Sequence, residues 1–288
     1  MTEEAESVGT DHVWAIHALD SGADLHRRLA AYAHACTTTA GPVLDAARDG
    51  LPLRLSQGVA VIPLMGPMIR RGGALARMFG MSGTDDVRRA VESALADADV
   101  REIVMRVDSP GGSVSGLDQL GDVMNAADKP ITAIVEGMAA SAAYYVASQA
   151  DSIFVGRNDL VGSIGTRMLL YDFSAAFEEM GVKPVVIDTG PYKSAGALGT
   201  EITDAQQAEF QRIVDFYFND FVSVVARGRQ MTENAVREAA DGRMFTPTQA
   251  IEIGLIDGVS TYEAVLNQAR RRHQTDRSAD TARARLRV

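Results

Sequence analysis

Ile103-Val-Met-Arg-Val-Asp-Ser-Pro-Gly-Gly-Ser-Val114 decides how this 288-residue chain folds. Ile103 to Val107 are β-branched or apolar with one charge, as in a strand buried on both faces, and the Pro-Gly-Gly that follows turns the chain toward a helix. A glycine turn in that place can aim backbone N–H groups at a developing oxyanion. On either side the pattern repeats. Val59-Ala-Val-Ile62, Ile131-Thr-Ala-Ile-Val135 and Val185-Val-Ile187 read as further strands buried on both faces. Val87, Ala90, Val91, Ala94 and Leu95 follow i, i+3, i+4, i+7, i+8 spacing, which predicts a helix opened near Thr84 with one apolar stripe. Strand and helix in alternation predict an α/β protein with a parallel sheet and crossover helices.

Three parts follow: an N-terminal extension and linker over 1–55, a body over 56–268 and a basic tail over 269–288. The extension holds a helical pattern from Asp24 to Ala35, then the breakers Gly41-Pro42 and Gly50-Leu51-Pro52. In the body, Thr203 to Arg227 reads as one long helix whose aromatics Phe210, Phe216, Tyr217, Phe218 and Phe221 are expected to be packing residues. Thr246-Pro-Thr-Gln249 is a helix start with a capping box, and Gly254 ends that helix. Of the net charge of −10, the stretch from Arg270 contributes seven arginines against Asp276 and Asp280, a net +5 that leaves −15 for the rest. The acidic body should repel nucleic acid, while the tail reads as solvated or as a contact for an acidic partner. No run reaches the roughly 18 apolar residues that span a bilayer, so no signal peptide or membrane anchor is expected. The single cysteine, Cys36, excludes an internal disulfide and a multi-cysteine zinc site, which suits a reducing cytoplasm. Neither cofactor nor metal is expected.

The chemistry narrows by elimination. His12, His17, His26, His34 and His273 all lie in the extension or the tail, so a Ser/His/Asp triad requires an extension to fold back. That leaves a hydroxyl activated by a lysine, and the chain has three: Lys129, Lys183 and Lys193. The first two precede prolines at solvent-facing turns. Lys193 follows the strand expected at Val185–Ile187, in the small-residue loop Asp-Thr-Gly-Pro-Tyr-Lys-Ser-Ala-Gly196, where close approach to another element is sterically allowed. Ser141 follows another strand and is flanked by Ala139, Ala140, Ala142 and Ala143, which suits either an exposed nucleophile or a tightly packed helix. Tyr144 and Tyr145 behind it read as core.

Asp108-Ser-Pro-Gly-Gly-Ser-Val114, Gly137-Met-Ala-Ala-Ser-Ala-Ala-Tyr-Tyr145, Val161-Gly-Ser-Ile-Gly-Thr166, Gly190-Pro-Tyr-Lys-Ser-Ala-Gly196 and the stretch from Gly242 to Asp257 resemble, in order and spacing, the protease IV or signal peptide peptidase A family. The resemblance runs from about Gly58 to Val265. It implies a crotonase-like, Clp-protease-like fold of stacked βαβ units with a C-terminal helical region. It also implies a serine endopeptidase with Ser141 as nucleophile and Lys193 as general base, oxyanion donors at Gly112 and Ala142, and peptide contacts at Gly111 and Ser113. A lysine at its ordinary pKa of about 10.4 is protonated at neutral pH, so such a base works only when desolvated.

Within the family, serine and lysine can come from neighbouring subunits of a ring or dome, which implies a homo-oligomer. One branch degrades peptides as a signal peptide peptidase; a soluble phage branch processes the capsid scaffold. The opening Val13-Trp-Ala-Ile16 resembles the phage branch, which implies capsid or scaffold proteins as partners and a cytoplasmic or prohead location. A crotonase-like enzyme without a nucleophile, or a scaffold-binding pseudoprotease, are the alternatives the fold leaves open.

Overall fold

The computed structural model describes residues 14–16 and 54–272. Its strands, in chain order, are β1 (Trp14–Ile16), β2 (Arg54–Ser56), β3 (Val59–Met65), β4 (Met68–Ile69), β5 (Ser82–Gly83), β6 (Glu102–Ser109), β7 (Gly111–Ser113), β8 (Ile131–Ala140), β9 (Ser152–Val155), β10 (Leu160–Gly162), β11 (Met244–Phe245) and β12 (Gly258–Val259). The helices are α1 (Ala74–Met78), α2 (Thr84–Ala96), α3 (Leu117–Asn125), α4 (Ala142–Ala147), α5 (Ser174–Glu179), α6 (Asp204–Arg229), α7 (Glu233–Ala239), α8 (Pro247–Glu252) and α9, over residues 262–272. The helix expected at Asp24–Ala35, the linker, Cys36 and the tail beyond 272 lie outside the described residues.

The larger sheet is built on β6, which runs parallel to β3 on one side and to β8 on the other. β8 is long enough to serve two neighbours: Thr132–Val135 pair with β9, and Met138–Ala140 with β10. Alternate side chains of these strands enter two cores, as a strand covered on both faces requires. Ala60, Ile62, Leu64, Ile103 and Met105 join the large core under α2, α3 and α4. Val59, Val61, Val104 and Ile134 turn to the other face, where Val265, Leu266 and Ala269 of α9 cover them. The expected body boundary at 268 therefore falls short: Ala269 is fully buried, and Arg272 Nη2 lies 2.6 Å from Glu102 Oε1.

A second, smaller sheet has the order β1, β7, β4, β5. It carries the glycine turn, and its edge strand β1 comes from the N-terminal extension.

The helix at Thr84 forms as expected, burying Val87, Ala90, Val91 and Ala94. Lys129 Nζ donates to the carbonyls of Ala94 (2.9 Å) and Asp97 (2.6 Å), satisfying acceptors that the end of α2 leaves open, so this lysine is structural. The capping boxes at Thr203–Gln206 and Thr246–Gln249 start α6 and α8. Only the C-terminal part of α6 is docked: its buried residues begin at Phe221. There a Cβ on Gly228 would lie 2.1 Å from Ser148 O, a crossing that only glycine permits.

Two expectations fail. Val185–Ile187 is not a strand; it is irregular, with Ile187 95% exposed, and among the described residues no strand pairs with it. Phe216 is not a packing residue either, being two-thirds exposed on the undocked part of α6, whereas Phe221 is core.

Candidate active site

The end of β8 is reshaped before it reaches Ser141. Pairing with β6 jumps from Val107–Val135 to Ser109–Ala139, so β8 bulges by two residues. The Asp108 carboxylate fills the bulge, accepting from Met138 N–H (3.3 Å) so closely that a Cβ on Gly137 would sit 2.4 Å from its oxygen. Loss of solvation there pushes the Asp108 carboxyl up from its ordinary range. Bulges re-aim the residues after them, and here those are Ala139, Ala140 and Ser141.

Ser141 stands at the strand-to-helix junction with φ 53° and ψ −123°, a conformation that costs a residue with a Cβ about 1–3 kcal/mol. Its N–H donates to Gly162 O (2.8 Å) and its carbonyl accepts from Tyr145 N–H (2.9 Å), so the sheet and α4 together hold the strained backbone. The side chain is buried, and its Oγ has no hydrogen-bond partner. A buried hydroxyl without a partner forfeits stability unless it has another use.

Two groups of backbone N–H lie near it. Ala142 is the first residue of α4, so its N–H has no acceptor inside the helix. β7 packs against α4, and its Gly111 has φ 89° while Ser109 Oγ, which donates to Gly66 O (2.6 Å), accepts from Gly111 N–H (3.1 Å) and fixes the turn. Gly112 lies so close to β4 that a Cβ would be 2.0 Å from Met68 O. Gly112 and Ala142 are thus brought to neighbouring elements, with Gly111 and Ser113 on the same short strand.

A cavity of about 330 Å³ opens beside Ala142, walled by Val114, Thr166, Tyr217 and Phe221. Tyr145 also faces it, donating through its hydroxyl to Asp220 Oδ2 (3.0 Å), while buried Tyr144 donates to Leu255 O (2.8 Å). Burial pushes both phenols above their ordinary range, so they remain neutral donors. The stretch around Gly162, which accepts from Ser141 N–H, is itself braced: Ser163 N–H donates to Arg243 O (2.8 Å), and β11 pairs with β10. Sequence reasoning picked out Val161–Thr166 but missed the α6 residues that line the cavity, whose signal was the aromatic cluster read as packing.

Lys193 is not joined to Ser141. It lies in an exposed turn between α5 and α6, where its backbone N–H donates to Gly190 O (3.1 Å) and its side chain is exposed to solvent. No cluster of potential metal ligands occurs among the described residues, and none of their helices is long and apolar enough to cross a membrane.

The pattern of peptidase family S49 matches residues 124–276, and that of Clp protease matches residues 85–154. The candidate protease MJ0651 of Methanocaldococcus jannaschii is 33% identical over 174 residues, covering 60% of this chain and 56% of its own length. Protease 4 of Haemophilus influenzae is 27% identical over 191 residues, 65% of this chain and 31% of its own. Capsid assembly protease C of Escherichia phage lambda is 27% identical over 215 residues, 74% of this chain and 49% of its own. Each alignment therefore spans little more than half of the relative, or less.

Proposed function

This chain belongs to peptidase family S49, and on that premise we propose that it is a serine endopeptidase whose nucleophile is Ser141 and whose base is Lys193 of a second copy. The observation that carries this reading is the strained, buried Ser141 with its unpartnered Oγ. A structural serine gains nothing from that position, whereas a nucleophile needs it. Burial of Lys193 between copies would supply the desolvation that a lysine base requires. The stretch bearing it presents Val185, Ile187, Tyr171 and Leu198 to solvent, apolar area that a neighbouring copy would cover.

In the proposed reaction the Ser141 Oγ–H bond breaks as Oγ attacks a peptide carbonyl, and the proton passes to neutral Lys193 Nζ. The N–H groups of Gly112 and Ala142 bind the resulting oxyanion. Collapse breaks the C–N bond, the lysine returns its proton to the leaving amine, and water then hydrolyses the acyl-serine by the same steps. The substrate class we assign is an unfolded or scaffold protein of capsid assembly. Its support is the likeness to the lambda protein, which extends over more of this chain than the likeness to the archaeal one. A cellular peptide-degrading role is the competing assignment, and digestion of a co-expressed scaffold against a signal peptide separates the two.

Mixing Ser141→Ala with Lys193→Ala tests the shared site. Each alone should be inactive. With random assembly about a quarter of sites recover both wild-type groups, so activity should return to about that fraction. Inactivity of the mixture would refute sharing between copies; full activity of either single variant would refute the dyad. Since β1 brings part of the extension to β7, His12 and His17 need their own control. The His12→Ala/His17→Ala variant should keep wild-type turnover.

A further inference from the structure

We propose that Trp14–Ile16 is a built-in competitor, occupying the edge of β7 where an extended substrate would dock. The claim rests on the peptidase reading only in naming β7 as the docking edge. β7 has two sides: β4 pairs with one in parallel, and β1 takes the other in antiparallel register, with Trp14 opposite Ser113, Ala15 opposite Gly112 and Ile16 opposite Gly111. An added strand at a sheet edge is a common way of holding an extended peptide, with backbone groups supplying the attraction. Gly111 and Gly112 present no side chains, so this edge reads backbone and is indifferent to sequence.

Its location gives the contact a consequence. β7 abuts α4, and the chain leaving β7 at Val114 lines the same cavity as Ala142, the residue after the buried hydroxyl. A strand on the open side of β7 therefore lies along the approach to Ser141. β1 is three residues long and, among the described residues, pairs with β7 alone, an attachment that a longer peptide can outcompete. Because it is tethered to the same chain, its effective concentration is of the order of millimolar, enough to raise the apparent KM of an untethered substrate.

The test uses the full chain with Ala15→Pro/Ile16→Pro. Successive residues of a strand point their N–H groups to opposite sides, so one of the two prolines removes a β1–β7 hydrogen bond whichever phase the ladder has. Trp14, the only tryptophan, stays in place as a fluorescent reporter. Labelled casein is the substrate. The variant should show KM lowered by roughly three- to tenfold with kcat unchanged, as expected for loss of a tethered competitor. In Ser141→Ala, saturating casein should speed hydrogen exchange at whichever of the amides of residues 15 and 16 bonds β7, and shift Trp14 emission.

An unchanged KM, or amides 15 and 16 both exchanging at the rate of an unstructured peptide without casein, overturns the proposal. So does an N-terminally shortened product that accumulates in the wild type and not in Ser141→Ala, because β1 would then be a substrate. Failure of a fluorophosphonate to label Ser141 would instead defeat the peptidase reading, while the exchange experiment would still decide what covers β7.

Discussion

Residues 102–164 and residues 167–203 are adjacent in sequence and opposite in character. The first region buries its strands on both faces and holds Ser141, Gly112 and Ala142 through backbone contacts fixed by glycine. In the second, Gly199 is the one buried residue, and the apolar side chains around Lys193 face outward. One region is covered by the rest of the described residues, and the other leaves its apolar side chains uncovered. If both serve one reaction, chemistry is tied to association: an isolated copy has a poised hydroxyl and no base beside it.

The largest effect should come from the covered region. Gly112→Ala drives a Cβ into Met68 O, so β7 must move and its N–H must leave the place proposed for the oxyanion. Loss of one such donor lowers kcat by about 10²- to 10³-fold, measured as steady-state casein hydrolysis. A variant that kept wild-type kcat while folded would show that β7 has no part in the reaction.

Ile187→Asp combined with Val185→Asp addresses the other region. Both positions are exposed in one chain, so unfolding in urea should change by no more than about 0.5 kcal/mol. Sedimentation should show smaller assemblies, and activity should fall by about tenfold or more, the equivalent of some 1.4 kcal/mol of lost association. Full activity in a demonstrably monomeric form would erase the contrast between the regions.

The smallest effect concerns Glu102, buried at the start of β6 against Thr132 and Arg272. Desolvation raises its carboxyl above the ordinary 4.5, with Arg272 and Thr132 opposing the rise. A raised carboxyl favours the protonated form in the folded state. Its contribution is therefore fully present below pH 4.5 and is lost as pH rises through the folded value. Glu102→Gln removes that titration, so acidification from pH 7 should shift the stability difference toward the wild type. Urea midpoints at pH 7 and pH 5 measure it, and a pH-independent difference would contradict it.

The covered region was legible because its causes are local. Val59–Ile62, Ile103–Val107 and Ile131–Val135 are apolar runs bounded by turns, and Ala139–Ala143 marks a tight strand-to-helix passage. Val185–Ile187 has the same composition and was misread, since β-branched apolar residues look alike whether a sheet covers them or nothing in the chain does. β1 was illegible for another reason. Three residues are too few to carry a periodicity, and their partner lies far along the chain at Gly111–Ser113. The turns that carry Ser141 and Gly112 are marked by local composition; what joins them depends on long-range contacts, and the proposed joining of Lys193 to Ser141 requires contacts that one chain does not make.

Helix α6 adds a mechanical side to this division. Buried from Phe221 onward, pinned where Gly228 meets Ser148, and held by Tyr145 at Asp220 and by Thr166 Oγ1 at Val214 O (3.0 Å), it projects its first ten residues, from Asp204 on, as a cantilever about 15 Å long at a rise of about 1.5 Å per residue. At the far end the Gln206 side chain donates to Pro191 O (2.9 Å), two residues before Lys193. In the proposed shared site, the rod sets the stand-off between one body and the Lys193 amine. Adding or deleting a turn of α6 would change which spacing between bodies brings amine and hydroxyl together.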